Sequence, residues 1–311
     1  MEGLIRTSGI ILFVAGVAAC FAADEPASVT EIEQNRNERI TAFEKRVTQE
    51  QTDRIEAALP DKPMVKPKRP KKLLIIDLNT RYGGHGSIPY ANIALKRMGE
   101  KTGAYEAVIR HDISAFNPDN LKQFDAVFLN NTVLWGEAIN RLFKEQGYGQ
   151  SLLDFVKNGG GLAANHGASA SLPQWPEYGR LIGGCLDGHP WNEEVAVRVE
   201  EPEHPINMCF EEKTFKIKEE IYQFKEPYSR DGLRVLLSLD TNRTDMNKAG
   251  IRRQDNDFAV SWVHSYGKGK VFYCSLGHYP EIFWDPEILR HFLAGIQFVL
   301  GDLQADASPK H

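Results

Sequence analysis

Asn158-Gly-Gly-Gly-Leu-Ala-Ala-Asn165-His166-Gly167 reads as a buried strand that runs into a tight, glycine-flanked turn. An α/β enzyme displays its nucleophile on such an elbow. No nucleophile stands there. Ser or Cys at position 165 would allow acyl transfer, whereas the Asn165 amide can bind and orient an oxygen but cannot attack carbon. Asn also tolerates positive φ, so a conformational role for Asn165 stands beside a substrate-orienting one. His166 follows at the carboxyl end of the strand, where ligands of open α/β sheets bind.

Working outward from this elbow, Leu73-Leu-Ile-Ile76 is a continuous apolar run, as expected of a strand covered on both faces. Ala91 to Met98 follows at helical spacing. The alternation continues through strands at Tyr105–Ile109 and Phe124–Leu129 and a helix around Leu152–Val156. A mostly parallel, doubly wound α/β sheet accommodates this order. Beyond the elbow, Val195–Val199, Ile217–Phe224 and Val235–Leu239 are partly alternating, which predicts added antiparallel strands. Ala259–Val263 and Val271–Leu276 form a predicted hairpin through Tyr266–Lys270, and Pro286–Leu300 a closing helix.

The chain begins differently. Arg6 and an apolar run from Gly9 to Ala23 have the length of a signal-peptide core, predicting export over residues 1–22. Val17-Ala-Ala-Cys20 also has the small-residue pattern that precedes a lipidated Cys; cleavage near Ala22 is the ordinary alternative. The only membrane contact expected is a lipid anchor at Cys20. Residues 23–70 are charged and then rich in Pro and Lys, the composition of a solvated helical stalk and stiff linker. That linker lacks the interleaved aromatics of a nucleic-acid surface, and the net charge of −5 agrees, so no nucleic-acid partner is expected. Cys185, Cys209 and Cys274 lack metal-type spacing. The first glycine cluster, Gly83-Gly-His-Gly86, lacks the spacing of a dinucleotide site.

Five ordered motifs now stand together: Gly159–His166, Trp175–Gly184, Asp187-Gly-His-Pro190, Phe224–Arg230 and Ser275-Leu-Gly-His278. Over residues 71 to 302 they resemble the ThuA-like family. That resemblance implies a link to trehalose and related sugars, and a flavodoxin-like fold similar to the class I glutamine amidotransferase superfamily. It sets a domain at 71–303, followed by a flexible tail at 304–311. In that superfamily the elbow carries Cys, and a later His with a nearby Glu completes a triad. Here the elbow is Asn165-His166-Gly167 and the later element is His278-Tyr-Pro-Glu281, so amidotransferase activity is excluded. Ser169 and Ser171 lie beyond the turn and are poor substitutes.

His85, His166, His189 and His278 each fall among glycines where strands or turns end. His85 and His166 belong at the carboxyl edge, and the family fold would bring His278 beside them. Three imidazoles and a water would suit catalytic Zn²⁺, but the spacing is no metal signature and favours a metal-free histidine pocket. Asp187, Glu220, Glu281 and Asp285 are the candidate carboxylates; Tyr222 and Trp284 are among the aromatics that would suit a sugar ring.

The leading expectation is an exported enzyme acting on a small sugar or oxidised sugar derivative. His166 and His278, with Glu281, would do the acid and base work. Asn165, His85, His189, Asp187, Glu220, Tyr222 and Trp284 would bind substrate, and His85, His166 and His278 are the residues for a metal. The alternative is a non-catalytic carbohydrate-binding or scaffolding module.

Overall fold

The computed structural model describes Gln34, Glu38 and residues 41–310. The signal-peptide and lipid-anchor expectations lie outside the described residues. Among these no helix is long and apolar enough to cross a membrane.

The strands are β1 (Lys72–Ile76), β2 (Glu106–Arg110), β3 (Ala126–Leu129), β4 (Gly161–Asn165), β5 (Cys185–Leu186), β6 (Trp191–Val199), β7 (Thr214–Ile221), β8 (Phe224–Lys225), β9 (Arg234–Leu239), β10 (Ala259–Tyr266) and β11 (Gly269–Cys274). Nine of them form one sheet in the order β2-β1-β3-β4-β11-β10-β9-β6-β7. The first five run parallel, in the strand order of a flavodoxin-like sheet. The other four extend it antiparallel. This is the mostly parallel α/β sheet with antiparallel additions that the sequence predicts.

Continuous apolar strands are explained by the two layers that cover them. Leu73 and Ile75 point into one core, with α2 (Ile88–Thr102) and α6 (Pro286–Val299). Leu74 and Ile76 point into the other, with α3 (Glu137–Lys144), α4 (Tyr148–Lys157) and α5 (Pro176–Ile182). Because side chains alternate across a strand, both faces must be apolar where both are buried.

Three local expectations change. The strand expected at Val195–Val199 begins at Trp191, hidden in sequence because Asn192-Glu-Glu194 is polar on both faces; Asn192 and Glu194 are exposed, and Glu194 pairs with Lys216 of β7 at 2.9 Å. The strand expected to run to Phe224 stops at Ile221: the Gln223 N–H donates to the Gly188 carbonyl, and β8 restarts against β5. That break turns Tyr222 towards the elbow. The left-handed conformation falls on His166 (φ 39), while Asn165 is extended at φ −130.

Residues 49–70, part of the segment whose composition suggests a solvated stalk and linker, lie against the domain. Helix α1 (Gln49–Ala58) buries Ile55 completely in the first core. The Met64 N–H donates to the Gln297 side-chain oxygen at 2.7 Å, and the Gln297 amide returns a bond to the Val65 carbonyl. The expected flexible tail is also fastened, through Asp306 to Arg234 and Lys310 to Glu201. All three described cysteines are free thiols.

Candidate metal centre

The elbow strand β4 ends at Asn165, and the chain turns through His166. A left-handed non-glycine residue costs about 1–3 kcal/mol and persists only where its surroundings hold it. Here the Tyr273 hydroxyl donates to the His166 carbonyl at 2.8 Å, and the His166 ring donates from Nδ1 to the Ser275 carbonyl at 2.7 Å. A carbonyl only accepts, so Nδ1 keeps the proton and Nε2 presents a lone pair to the cleft.

Facing that nitrogen are Glu220 and His278. His166 Nε2, His278 Nδ1 and Glu220 Oε2 stand 3.3 Å from one another on every edge of a triangle. His85 completes the group, with all four ligand atoms within 4.8 Å of each other. Its ring meets those of His166 and His278 edge on, with centroids 4.7 and 5.1 Å away. The Tyr222 hydroxyl donates to His166 Nε2 at 2.8 Å, His189 Nδ1 lies 3.1 Å from Glu220 Oε1, and the Tyr82 hydroxyl is 3.0 Å from His85 Nδ1.

The electrostatics differ from one group of the cluster to the next. Burial, reinforced by repulsion from His166 and His278, pushes the His85 pKa down to about 2, so that imidazole is neutral. Burial also opposes charge on His278, yet hydrogen bonding to Glu220 outweighs it and holds the His278 pKa above its ordinary value. Burial would raise the Glu220 carboxyl, but the His166 and His278 rings beside it keep it well below the usual carboxylate range. Burial holds the Tyr222 phenol far above its ordinary value.

Behind the cluster lies a rigid polar layer. Glu219, fully buried, accepts the backbone N–H groups of Glu220, Gly277 and His278 at 2.9, 3.1 and 3.0 Å. It therefore ties the strand carrying Glu220 to the turn carrying His278. Asn165 faces this layer: its Oδ1 accepts the Asn131 N–H at 2.8 Å. A Cβ on Gly277 would meet Asn165 Nδ2 at 2.4 Å, so the turn needs glycine there, at φ 135.

The three imidazoles named for a metal thus stand together, and Glu220 joins them as the fourth donor. Tyr222 and His189 border the group. Asp187 lies in the loop beside Gln223, paired with Arg252 at 2.6 Å. Two expected site residues lie elsewhere. Glu281 is exposed on the turn after Pro280, and among the described residues it has neither a hydrogen bond nor an ion pair with His278; the carboxylate beside His278 is Glu220. Trp284 packs towards Tyr90 and Arg54, against α2 and α1. Sequence reasoning missed Tyr82 and Glu219. Tyr82 carried a signal, an aromatic directly before Gly83-Gly-His85; Glu219 carried none, since alternation along the Ile217–Phe224 strand puts it on the face opposite Glu220.

Solved structures share this fold. A protein described as ThuA-like from Bacteroides uniformis is 22% identical with a TM-score of 0.58, over 75% of this chain and 93% of that one. Another from Parabacteroides merdae is 19% identical with a TM-score of 0.55, over 78% and 98%. Likeness at these identities establishes the fold alone. No curated protein matches the sequence. The pattern of the ThuA family, described as trehalose utilisation, matches residues 72–299, and the chain belongs to that family.

Proposed function

We propose that the protein is an exported metal-dependent enzyme acting on a sugar or oxidised sugar derivative, with a divalent cation held by His85, His166, Glu220 and His278. The observation that carries this is the triangle of 3.3 Å edges. Three atoms bearing lone pairs or negative charge face one another at that distance only with protons or a cation among them. One proton satisfies one edge; a cation satisfies all three.

The donor set fits the group. Tetrahedral zinc with bonds of about 2.0–2.1 Å to imidazole places its ligands about 3.4 Å apart. Neutral imidazoles with one carboxylate suit Zn²⁺ and neighbouring first-row ions. The Ser275 carbonyl fixes the His166 tautomer as a supporting group of a metal ligand does. Such an ion would supply Lewis-acid polarisation of a substrate oxygen and balance the Glu220 charge.

The chain's own groups supply the proton handling. Tyr222 offers a phenol kept protonated by burial, whose hydroxyl would be released towards the substrate when His166 Nε2 holds a cation. His189, about half exposed, offers an imidazole beside Glu220 at the mouth of the site. His166 and His278 act in this scheme as ligands, not as the acid and base first expected. A sugar is favoured by the family's description and by Tyr82, an exposed aromatic at the cluster.

The test is turnover of a panel of sugars and keto-sugars by the metal-loaded protein, with His166→Ala and His278→Ala as controls. Conversion lost in both variants is the expected result. Conversion unchanged in both would sink the proposal, and binding without conversion would favour a carbohydrate-binding module.

A further inference from the structure

The loop after β1 carries more than His85. Asn79 bridges to Val133 as a short parallel continuation of the β1/β3 pairing. The Thr80 hydroxyl donates to the Trp135 carbonyl at 2.8 Å and accepts the Trp135 N–H at 2.7 Å. The two loops are thus fastened at the point where strand order reverses, between β1 and β3. Open α/β sheets bind ligands in that crevice.

At the tip of this junction the Arg81 guanidinium lies over the Trp135 ring, 4.0 Å from its centroid. Among the described residues it has no carboxylate partner and no side-chain hydrogen bond. The stacking fixes the plane of the guanidinium while leaving its N–H edges unspent. The next residue, Tyr82, is 41% exposed and touches His85 through its hydroxyl. An exposed aromatic ring, an oriented unpaired cation and the histidine cluster therefore follow one another along a single loop.

We infer that Arg81 and Trp135 form an anion subsite beside the metal centre, so that the ligand is an acidic sugar, bearing a carboxylate or phosphate at the end remote from the metal. This rests on the metal-centre reading for the position of the sugar. Arg81 recognises a planar or tetrahedral oxyanion through paired N–H bonds, Tyr82 covers the ring, and the cluster takes the sugar's oxygens. Neutral sugars leave the Arg81 fork unused.

The test is calorimetric titration of the zinc-loaded full chain with D-glucuronate, D-glucose 6-phosphate and D-glucose, in wild type, Arg81→Gln and Arg81→Lys, with zinc content measured in each. An acidic sugar should bind about tenfold or more tighter than glucose in wild type, with the advantage falling at higher salt. Arg81→Gln should abolish that advantage while keeping zinc, and Arg81→Lys should restore only part of it. Whether glucuronate or the phosphate is preferred assigns the source of the anion. Equal affinity for charged and neutral sugars in wild type that holds zinc would overturn the subsite alone. An Arg81-dependent preference in protein that never holds zinc would overturn the metal centre alone.

Discussion

The two halves of the sheet contribute different chemistry to one site. The parallel half, β2-β1-β3-β4-β11, delivers the imidazoles: His85 after β1, His166 after β4 and His278 after β11. The antiparallel extension delivers the carboxylate and the phenol, since Glu220 belongs to β7 and Tyr222 follows it. By itself the parallel half offers three imidazole nitrogens; the extension supplies the anion that favours a cation among them. Glu219, itself on β7, joins the halves by accepting the backbone N–H groups of Gly277 and His278.

The largest expected effect comes from breaking the parallel half's contribution. His278→Ala should reduce bound metal from about one ion per chain to below about a tenth under chelator competition, read by elemental analysis. Removing only the charge from the other half is milder: Glu220→Gln should weaken metal binding about 100-fold in a competitive titration. Both variants retain the cores, so thermal unfolding should remain cooperative.

The same pair sets a pH dependence. Glu220 holds the His278 pKa above its ordinary value, so without a cation His278 stays protonated to higher pH. Metal must displace that proton, and affinity should fall about tenfold per pH unit below the raised His278 pKa. In Glu220→Gln the onset of that fall should move to lower pH. An unmoved onset would assign the proton to another group.

Cutting the tie between the halves should cost less. Glu219→Gln keeps the shape but replaces an acceptor oxygen facing backbone N–H groups with an NH₂. Denaturant unfolding should show a loss of about 1–3 kcal/mol, and metal affinity should drop about tenfold. Smallest of all, Glu281→Gln should leave metal affinity within about twofold, because that carboxylate is exposed and outside the cluster.

What the sequence made legible follows the same division. The parallel half was readable because doubly covered strands such as Leu73–Ile76 are apolar throughout, and its histidines were readable because they stand among turn glycines. In the extension, Glu220 was legible as a pocket carboxylate but not as the partner of His166. Strand β7 lies five places along the sheet from β4, and only the return of its end over the carboxyl edge brings them together. Glu219 is hidden in a charged run whose burial depends on that return. The N-terminal segment misled for a related reason: Pro and Lys suggest solvent, yet the backbone N–H groups of Met64 and Val65 are taken by Gln297, within a distant helix. No local pattern announces a partner more than two hundred residues away.

The most direct test of a cation site built from both halves is X-ray absorption fine structure at the zinc edge of the metal-loaded protein. Wild type should show three imidazole ligands and carboxylate oxygen, with oxygen scattering altered in Glu220→Gln. A spectrum without imidazole scattering, or a protein that binds no ion at all, would contradict it.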